Sequence, residues 1–171
     1  MTHHPPEKPE PLEVQGNEIN SHKKWVKLML YERINKTEYY LKIAEVVAIR
    51  STCLRRQYGA VIVNNDSIVS TGYNGSPRNE NNCCDTGKCY CRSHSEPLDH
   101  NAAVHGPQYG SCVAVHAEQN AIICVARKDM QGATLYLATT DLSINPAPCN
   151  ICDRMIKNAG IERVITKAGA L

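Results

Sequence analysis

Apolar residues recur at spacings of three and four between Lys23 and Arg50, first Trp25, Leu28 and Met29, then Tyr40, Ile43, Ala44 and Val47. This is the period of a helix with one buried face. "NKTE" interrupts the stretch, and Asn35 with Thr37 predicts a break and a new N-cap between two helices. "GAVIVNNDSIVSTGY" then carries two short β-branched runs around "NNDS", which predicts a hairpin. Farther along, the pattern predicts a helix from about His116 to Lys128, a strand "ATLYLATT" and a turn segment "DLSINPAP". A helix from about Cys149 to Asn158, closed by Gly160, and a strand "IERVIT" follow. Strand and helix alternate in this second half, so a βαβ unit with a parallel pair and an α/β fold are expected.

Two stretches lack such a period. Residues 1–21 combine prolines and charges with few apolar side chains and are expected to form a tail, with His3 and His4 solvated in it. Residues 22–171 are expected to form a single domain, within the length one core can organise. Inside it, Asn74 to Ser111 are rich in Gly, Pro, Asn, Cys and His, and about 78–112 reads as an insertion ordered for a purpose such as metal binding.

Composition narrows the partners. Lys and Arg number 19 against 17 Asp and Glu, a net charge of +2 without a long run of one sign, so a surface tracking long nucleic acid is not expected. No apolar run approaches the ~20 residues of a membrane span, and the N-terminus shows no positive region followed by an apolar block, so a cytoplasmic protein is expected. Nine cysteines without a secretory signal are expected to be thiols, some of them metal ligands.

The candidate chemistry lies at two predicted helix starts. "PAPCNICDRMI" places Cys149 and Cys152 three apart in a first turn, where both sulfurs reach one point and the positive helix end lowers a thiol pKa. "VHAEQNAI" puts His116 and Glu118 at the head of the other helix. Two thiolates and an imidazole are a known catalytic zinc shell with a fourth position left for water, and a βαβ arrangement allows the two helix starts to be neighbours. Singly the motifs say little: Cys-x-x-Cys also serves structural zinc or a redox pair, and His116 with Glu118 also suits a solvated helix start. In this order, His-x-Glu and then Pro-Cys-x-x-Cys, they form the signature of zinc-dependent nucleobase deaminases. His116, Cys149 and Cys152 are therefore expected to hold zinc, which lowers the pKa of water from ~15.7 towards ~7. Glu118 is expected to pass protons from water to the ring nitrogen beside the attacked carbon and on to departing ammonia. A structural site closed by Glu118 or another cysteine is the competing possibility.

These residues resemble the zinc-dependent cytidine and deoxycytidylate deaminase superfamily, and within it the deoxycytidylate (dCMP) branch. The resemblance runs from about Tyr40 to Thr166 on "STCLRRQYGAVIV", "STGYNGSPRN", "VHAEQNAI" and "PAPCNICDRMIKNAGI". It implies a three-layer α/β fold, a mixed five-stranded sheet with helices on both faces, in a homo-oligomer that is commonly a hexamer. The implied reaction is hydrolysis of dCMP, a small pyrimidine nucleotide, to dUMP and ammonia, supplying deoxyuridylate for thymidylate synthesis. Another cytosine or adenine substrate, or a zinc-stabilised binding module without catalysis, are the alternatives. By the same resemblance Asn74 contacts the nucleotide and Ser76 its phosphate. A second, structural zinc is implied on Cys53, Cys83 and Cys112 with Cys89 as fourth ligand, against which Cys84, Cys91, His94, His100 and His105 compete. Two departures stand out. The branch carries tyrosines in or after its last strand that help hold phosphate, and "IERVITKAGAL" has none; "TTDLSINPAPC" is also longer than the usual step to Pro-Cys. Both bear on the choice between nucleotide and nucleoside.

Residues outside these motifs receive plainer expectations. Cys124, eight positions after His116 on one predicted helix, is expected in the core, with Ile122, Ile123 and Val125 buried beside it. Arg55 and Arg56 are expected to be a solvated pair at a helix end. Trp25, Tyr39 and Tyr40 are expected in the core or at a subunit contact.

Overall fold

The computed structural model describes residues 33–89 and 112–171. Expectations for the tail, the helix beginning at Lys23, Trp25, Cys91, His94, His100 and His105 lie outside the described residues. The chain divides into two units, Met1–Ile34 and Asn35–Leu171, and the second carries the elements below.

Helix α1 spans Lys36–Ile49 and starts where expected: Asn35 is extended, and its side chain accepts the Glu38 backbone N–H at 2.9 Å. Strands β1 (Tyr58–Asn64) and β2 (Ser67–Tyr73) form the hairpin. Asn65 and Asp66 between them have φ of 47° and 63°, the left-handed values that a type I′ turn requires and that Asn and Asp tolerate. The Tyr40 hydroxyl donates to the Asp66 carboxylate at 2.8 Å, tying α1 to this turn.

A short helix α2 covers Cys83–Thr86. Helix α3 (Ala117–Ile123) and a four-residue helix α4 (Arg127–Met130) lead into strand β3 (Thr134–Thr139). Helix α5 (Asn150–Ala159), strand β4 (Arg163–Thr166) and the two-residue strand β5 (Gly169–Ala170) complete the order. Gly160 caps α5 at φ +84°, a conformation that side chains rarely adopt.

The five strands lie in the order β2-β1-β3-β4-β5. β1 is antiparallel to β2 and to β3, β3 and β4 are parallel around α5, and β5 returns antiparallel. Alternation along the central strands explains the layers. Val61 and Val63 with Tyr136 and Ala138 pack against Tyr40 and Ala44 of α1 on one face. Ala60 and Ile62 with Leu135 and Leu137 pack on the other face against Ala117, Ala121, Ile156 and Ala159 of α3 and α5. A sheet covered on both sides needs apolar residues at successive positions, which is why "AVIV" reads as a continuous run. Each fully buried Ile or Leu contributes about 1.5–3 kcal/mol. The expected three-layer fold with a mixed five-stranded sheet is thus the observed one. Among the described residues no helix is long and apolar enough to cross a membrane.

The expected helix from His116 to Lys128 is two helices. α3 ends at Ile123, Cys124 is its C-cap, and Ala126 is extended before α4 begins. Isoleucine and valine at 122, 123 and 125 are poor helix formers, and Met130 and Ala133 fill the core beyond the break. Cys124 is consequently exposed and Ile123 is 67% exposed, contrary to expectation, while Ile122 and Val125 pack partly on the core. Tyr40 is in the core and Tyr39 is exposed.

The seat of α3 is set by a glycine. A Cβ on Gly72 of β2 would stand 2.3 Å from both the Ala117 carbonyl oxygen and the Ala121 nitrogen, so only glycine lets the helix backbone come this close. Ser70 Oγ donates to the Ala121 carbonyl at 2.7 Å and Asn120 Nδ2 to the Tyr73 carbonyl at 2.7 Å, fixing the helix along the strand. Gly72→Ala is expected to displace α3 and to cost about 1–3 kcal/mol of stability by overpacking, measured by denaturant unfolding.

Candidate active site

Both site helices open on the same end of the sheet. An isolated bridge places Gly75, just after β2, against Val115, with the Gly75 N–H donating to the Val115 carbonyl at 3.1 Å and the Val115 N–H to that of Gly75 at 2.8 Å. His116 is the N-cap of α3, its backbone N–H held by the Gln119 side chain at 2.9 Å. Cys149 is the N-cap of α5, its sulfur accepting the Cys152 N–H at 3.5 Å. The parallel β3-α5-β4 unit delivers this second helix start to the first.

Cys149 Sγ lies 3.5 Å and Cys152 Sγ 3.4 Å from His116 Nδ1. The three donor atoms all fall within 4.8 Å of one another, the one such group of three or more candidate ligands among the described residues. Tetrahedral zinc, with bonds of ~2.3 Å to sulfur and ~2.0 Å to nitrogen, separates sulfur from nitrogen by about 3.5 Å. The donors therefore fit a zinc ion, and His116, Cys149 and Cys152 could hold it.

Glu118, in the first turn of α3, is 5% exposed. Burial pushes its carboxyl above the usual range, opposed by a backbone hydrogen bond and by His116 and Cys152 beside it. Burial also pushes the Cys152 thiol far up, and the neighbouring Glu118 and Cys149 add to this. Negative groups crowded into a dry site are what a bound divalent cation stabilises, since it favours thiolates over thiols.

His116, Glu118 and Cys149 line a cavity whose wall also contains Arg55, Arg56, Tyr58, Asn74 and Leu137, with Cys152 buried behind it. The two arginines, expected in solvent, are half-buried in this wall. The segment after α1 folds back beside the site instead of continuing the helix outward. Tyr58 and Leu137 were not singled out in the sequence; their places at the start of β1 and inside β3 gave no local chemical signal. Asn74 is 7% exposed, and its amide is largely engaged by the protein. Oδ1 accepts from the Tyr58 N–H and the Ser51 hydroxyl at 2.7 Å each, and Nδ2 donates to the Arg56 carbonyl at 2.8 Å. Ser76 lies outside the lining, with a buried hydroxyl that has no hydrogen-bond partner among the described residues. Cys53 and Cys112 line the cavity, Cys83 is buried and Cys89 half-buried, but these four do not come together as a second ligand cluster among the described residues.

Over residues 34–168 the chain matches the family described as the cytidine and deoxycytidylate deaminase zinc-binding region. It is 40% identical over 133 residues to the deoxycytidylate deaminase of Mycobacterium phage D29, covering 75% of this chain and 91% of the phage protein. It is 30% identical over 154 residues to the deoxycytidylate deaminase of Schizosaccharomyces pombe; this covers 82% of the chain but only 43% of that longer relative. The crystal structure of dCMP deaminase from cyanophage S-TIM5 in apo form matches with a TM-score of 0.52 and 28% identity over 77% of this chain and 83% of that one. The same phage enzyme in complex with dCMP and dUMP matches with a TM-score of 0.50 at 28% identity, over 78% and 82% of the two chains. Fold, metal-ligand cluster and relatives agree, and the chain belongs to the cytidine and deoxycytidylate deaminase zinc-binding family.

Proposed function

We propose that this chain hydrolyses dCMP to dUMP and ammonia. The observation that carries the proposal is the cluster of His116, Cys149 and Cys152 at a cavity that His116, Cys149 and the buried Glu118 line. Zinc held by the three ligands supplies Lewis-acid activation of a water at neutral pH. Glu118 then works as base and acid in turn. Its carboxylate takes a proton from the attacking water, gives it to the ring nitrogen beside the attacked carbon, and assists protonation of the amino group that leaves as ammonia. A carbonyl replaces the amine, and no electron leaves or enters the substrate. Burial suits Glu118 to this exchange, because it raises the proton affinity of the carboxyl above the usual range.

Arg55 and Arg56 in the same wall support a phosphorylated substrate, since guanidinium groups pair with phosphate through two parallel hydrogen bonds. Asn74 has one amide hydrogen left over from its protein contacts for the substrate. Charge-assisted contacts of this kind predict kcat/KM for dCMP above that for deoxycytidine by about 10²-fold. Ammonia release across a panel of cytosine and adenine compounds checks this. Preference for deoxycytidine overturns the nucleotide assignment, and release from none of them favours a zinc-stabilised binding module. One zinc per chain belongs to the site described; two per chain would support Cys53, Cys83, Cys89 and Cys112 as a structural set. The proposed setting is the cytoplasm, where thiol ligands stay reduced, and the proposed assembly a homo-oligomer such as a hexamer. Exposed Val46, Ile49 and Ile123 support an assembly, and light scattering measures its size.

A further inference from the structure

Residues 50–57, between α1 and β1, carry Cys53, Arg55 and Arg56 to the cavity wall without helix or strand to support them. Their order comes from Asn74 at the end of β2. Its carbonyl accepts the Thr52 N–H at 3.3 Å, its N–H donates to the Tyr58 carbonyl at 3.2 Å, and its side chain takes the Tyr58 N–H and the Arg56 carbonyl. At the centre stands Ser51. Its hydroxyl is 2.8 Å from the Asn74 carbonyl and 2.7 Å from Asn74 Oδ1, the two acceptors that share its one hydrogen, and it accepts the Cys53 N–H at 3.2 Å. Ser51 does not line the cavity.

From this network we infer that Ser51 is a positioning residue for phosphate recognition. It locks the roll of the Asn74 carboxamide to the first residues of the 50–57 segment, and so holds the arginine arm over the site. Asn74 grips Arg56 through Nδ2, so the roll set at Oδ1 fixes where the Arg56 backbone lies. Without the hydroxyl, the Cys53 N–H loses its acceptor and the N-terminal half of the arm is held by backbone contacts alone, Arg50 N–H to the Val47 carbonyl, Ser51 N–H to that of Ala48, Thr52 N–H to that of Asn74 and Cys84 N–H to that of Thr52. Loosening at this point moves the guanidinium groups while the metal ligands, carried on α3 and α5, stay in place.

The inference rests on the dCMP assignment, and the experiment separates the two. Zinc-loaded wild type, Ser51→Ala and Ser51→Thr are compared on dCMP and on deoxycytidine, with zinc content measured on each sample. Wild type must first prefer dCMP; equal kcat/KM on the two substrates would defeat the nucleotide assignment before any variant is considered. Given that preference, Ser51→Ala is expected to reduce the dCMP to deoxycytidine ratio of kcat/KM about tenfold, mainly through KM for dCMP. Ser51→Thr, which keeps the hydroxyl, is expected to retain the ratio within about threefold. An equal loss on both substrates, with or without loss of zinc, would show that Ser51 supports the fold in general and would overturn the inference. An unchanged ratio in Ser51→Ala would overturn it too.

Discussion

Glu118→Gln is expected to lower kcat for dCMP by about 10²–10⁴-fold, the share that positioned proton transfer ordinarily contributes, while the protein keeps its zinc. The amide has the shape of the carboxyl but cannot accept a proton from water and return it to the ring. Zinc retention follows from geometry, since the ligand cluster consists of His116, Cys149 and Cys152 without Glu118. Folding is expected to survive as well: Glu118 is 5% exposed, and replacing a buried charge by a neutral isostere removes a desolvation cost. Steady-state kinetics together with metal analysis checks both halves. Loss of zinc in the variant would identify Glu118 as a fourth ligand and the site as structural; retained turnover would remove it from proton transfer.

Removal of a ligand acts on the metal first. With free zinc at 100 times its Kd, binding to the folded state alone adds about 2.7 kcal/mol of stability. For a chain of this size that corresponds to a rise in Tm of about 5–11 °C when zinc is added to metal-free protein. Cys152→Ser is expected to lose this zinc-dependent rise and to lower turnover to the background of the metal-free protein. Cys152 is fully buried at the first turn of α5, next to Glu118, and is one of the three donors of the cluster. Thermal unfolding with and without zinc measures the effect. An undiminished rise in Cys152→Ser would place the stabilising metal elsewhere.

Much of the site was legible because its pieces are local. Asn35, the "NNDS" turn, the Cys149–Cys152 pair at a helix start and Gly160 closing that helix each act within a few residues, so short patterns show them. The metal cluster is long-range, but each half is a local pair at a helix start, and alternation of strand and helix was enough to expect the halves to meet. The same alternation predicts the parallel pair and the β-branched runs predict the hairpin, while the five-stranded sheet as a whole is what the family resemblance implies. Arg55 and Arg56 were misplaced for the opposite reason. What turns them to the cavity is a set of hydrogen bonds from Asn74 and Ser51, and no short pattern shows that Oδ1 of residue 74 will take the N–H of residue 58. Cys124 was misplaced because a helical period was extended through Ile122, Ile123 and Val125, where tertiary packing of Met130 and Ala133 supports a break. Gly72 carries no local signal either, because what requires glycine there is the α3 backbone lying on it.

Zinc-dependent deamination at this cluster is tested most directly by titrating zinc into metal-free protein in the presence of dCMP and measuring ammonia and dUMP released. The expected result is no release without metal and a rate that rises with zinc until His116, Cys149 and Cys152 are occupied, with ammonia and dUMP formed in equal amounts. Full turnover by the zinc-free protein, or a zinc-loaded protein that releases no ammonia from dCMP, would contradict it.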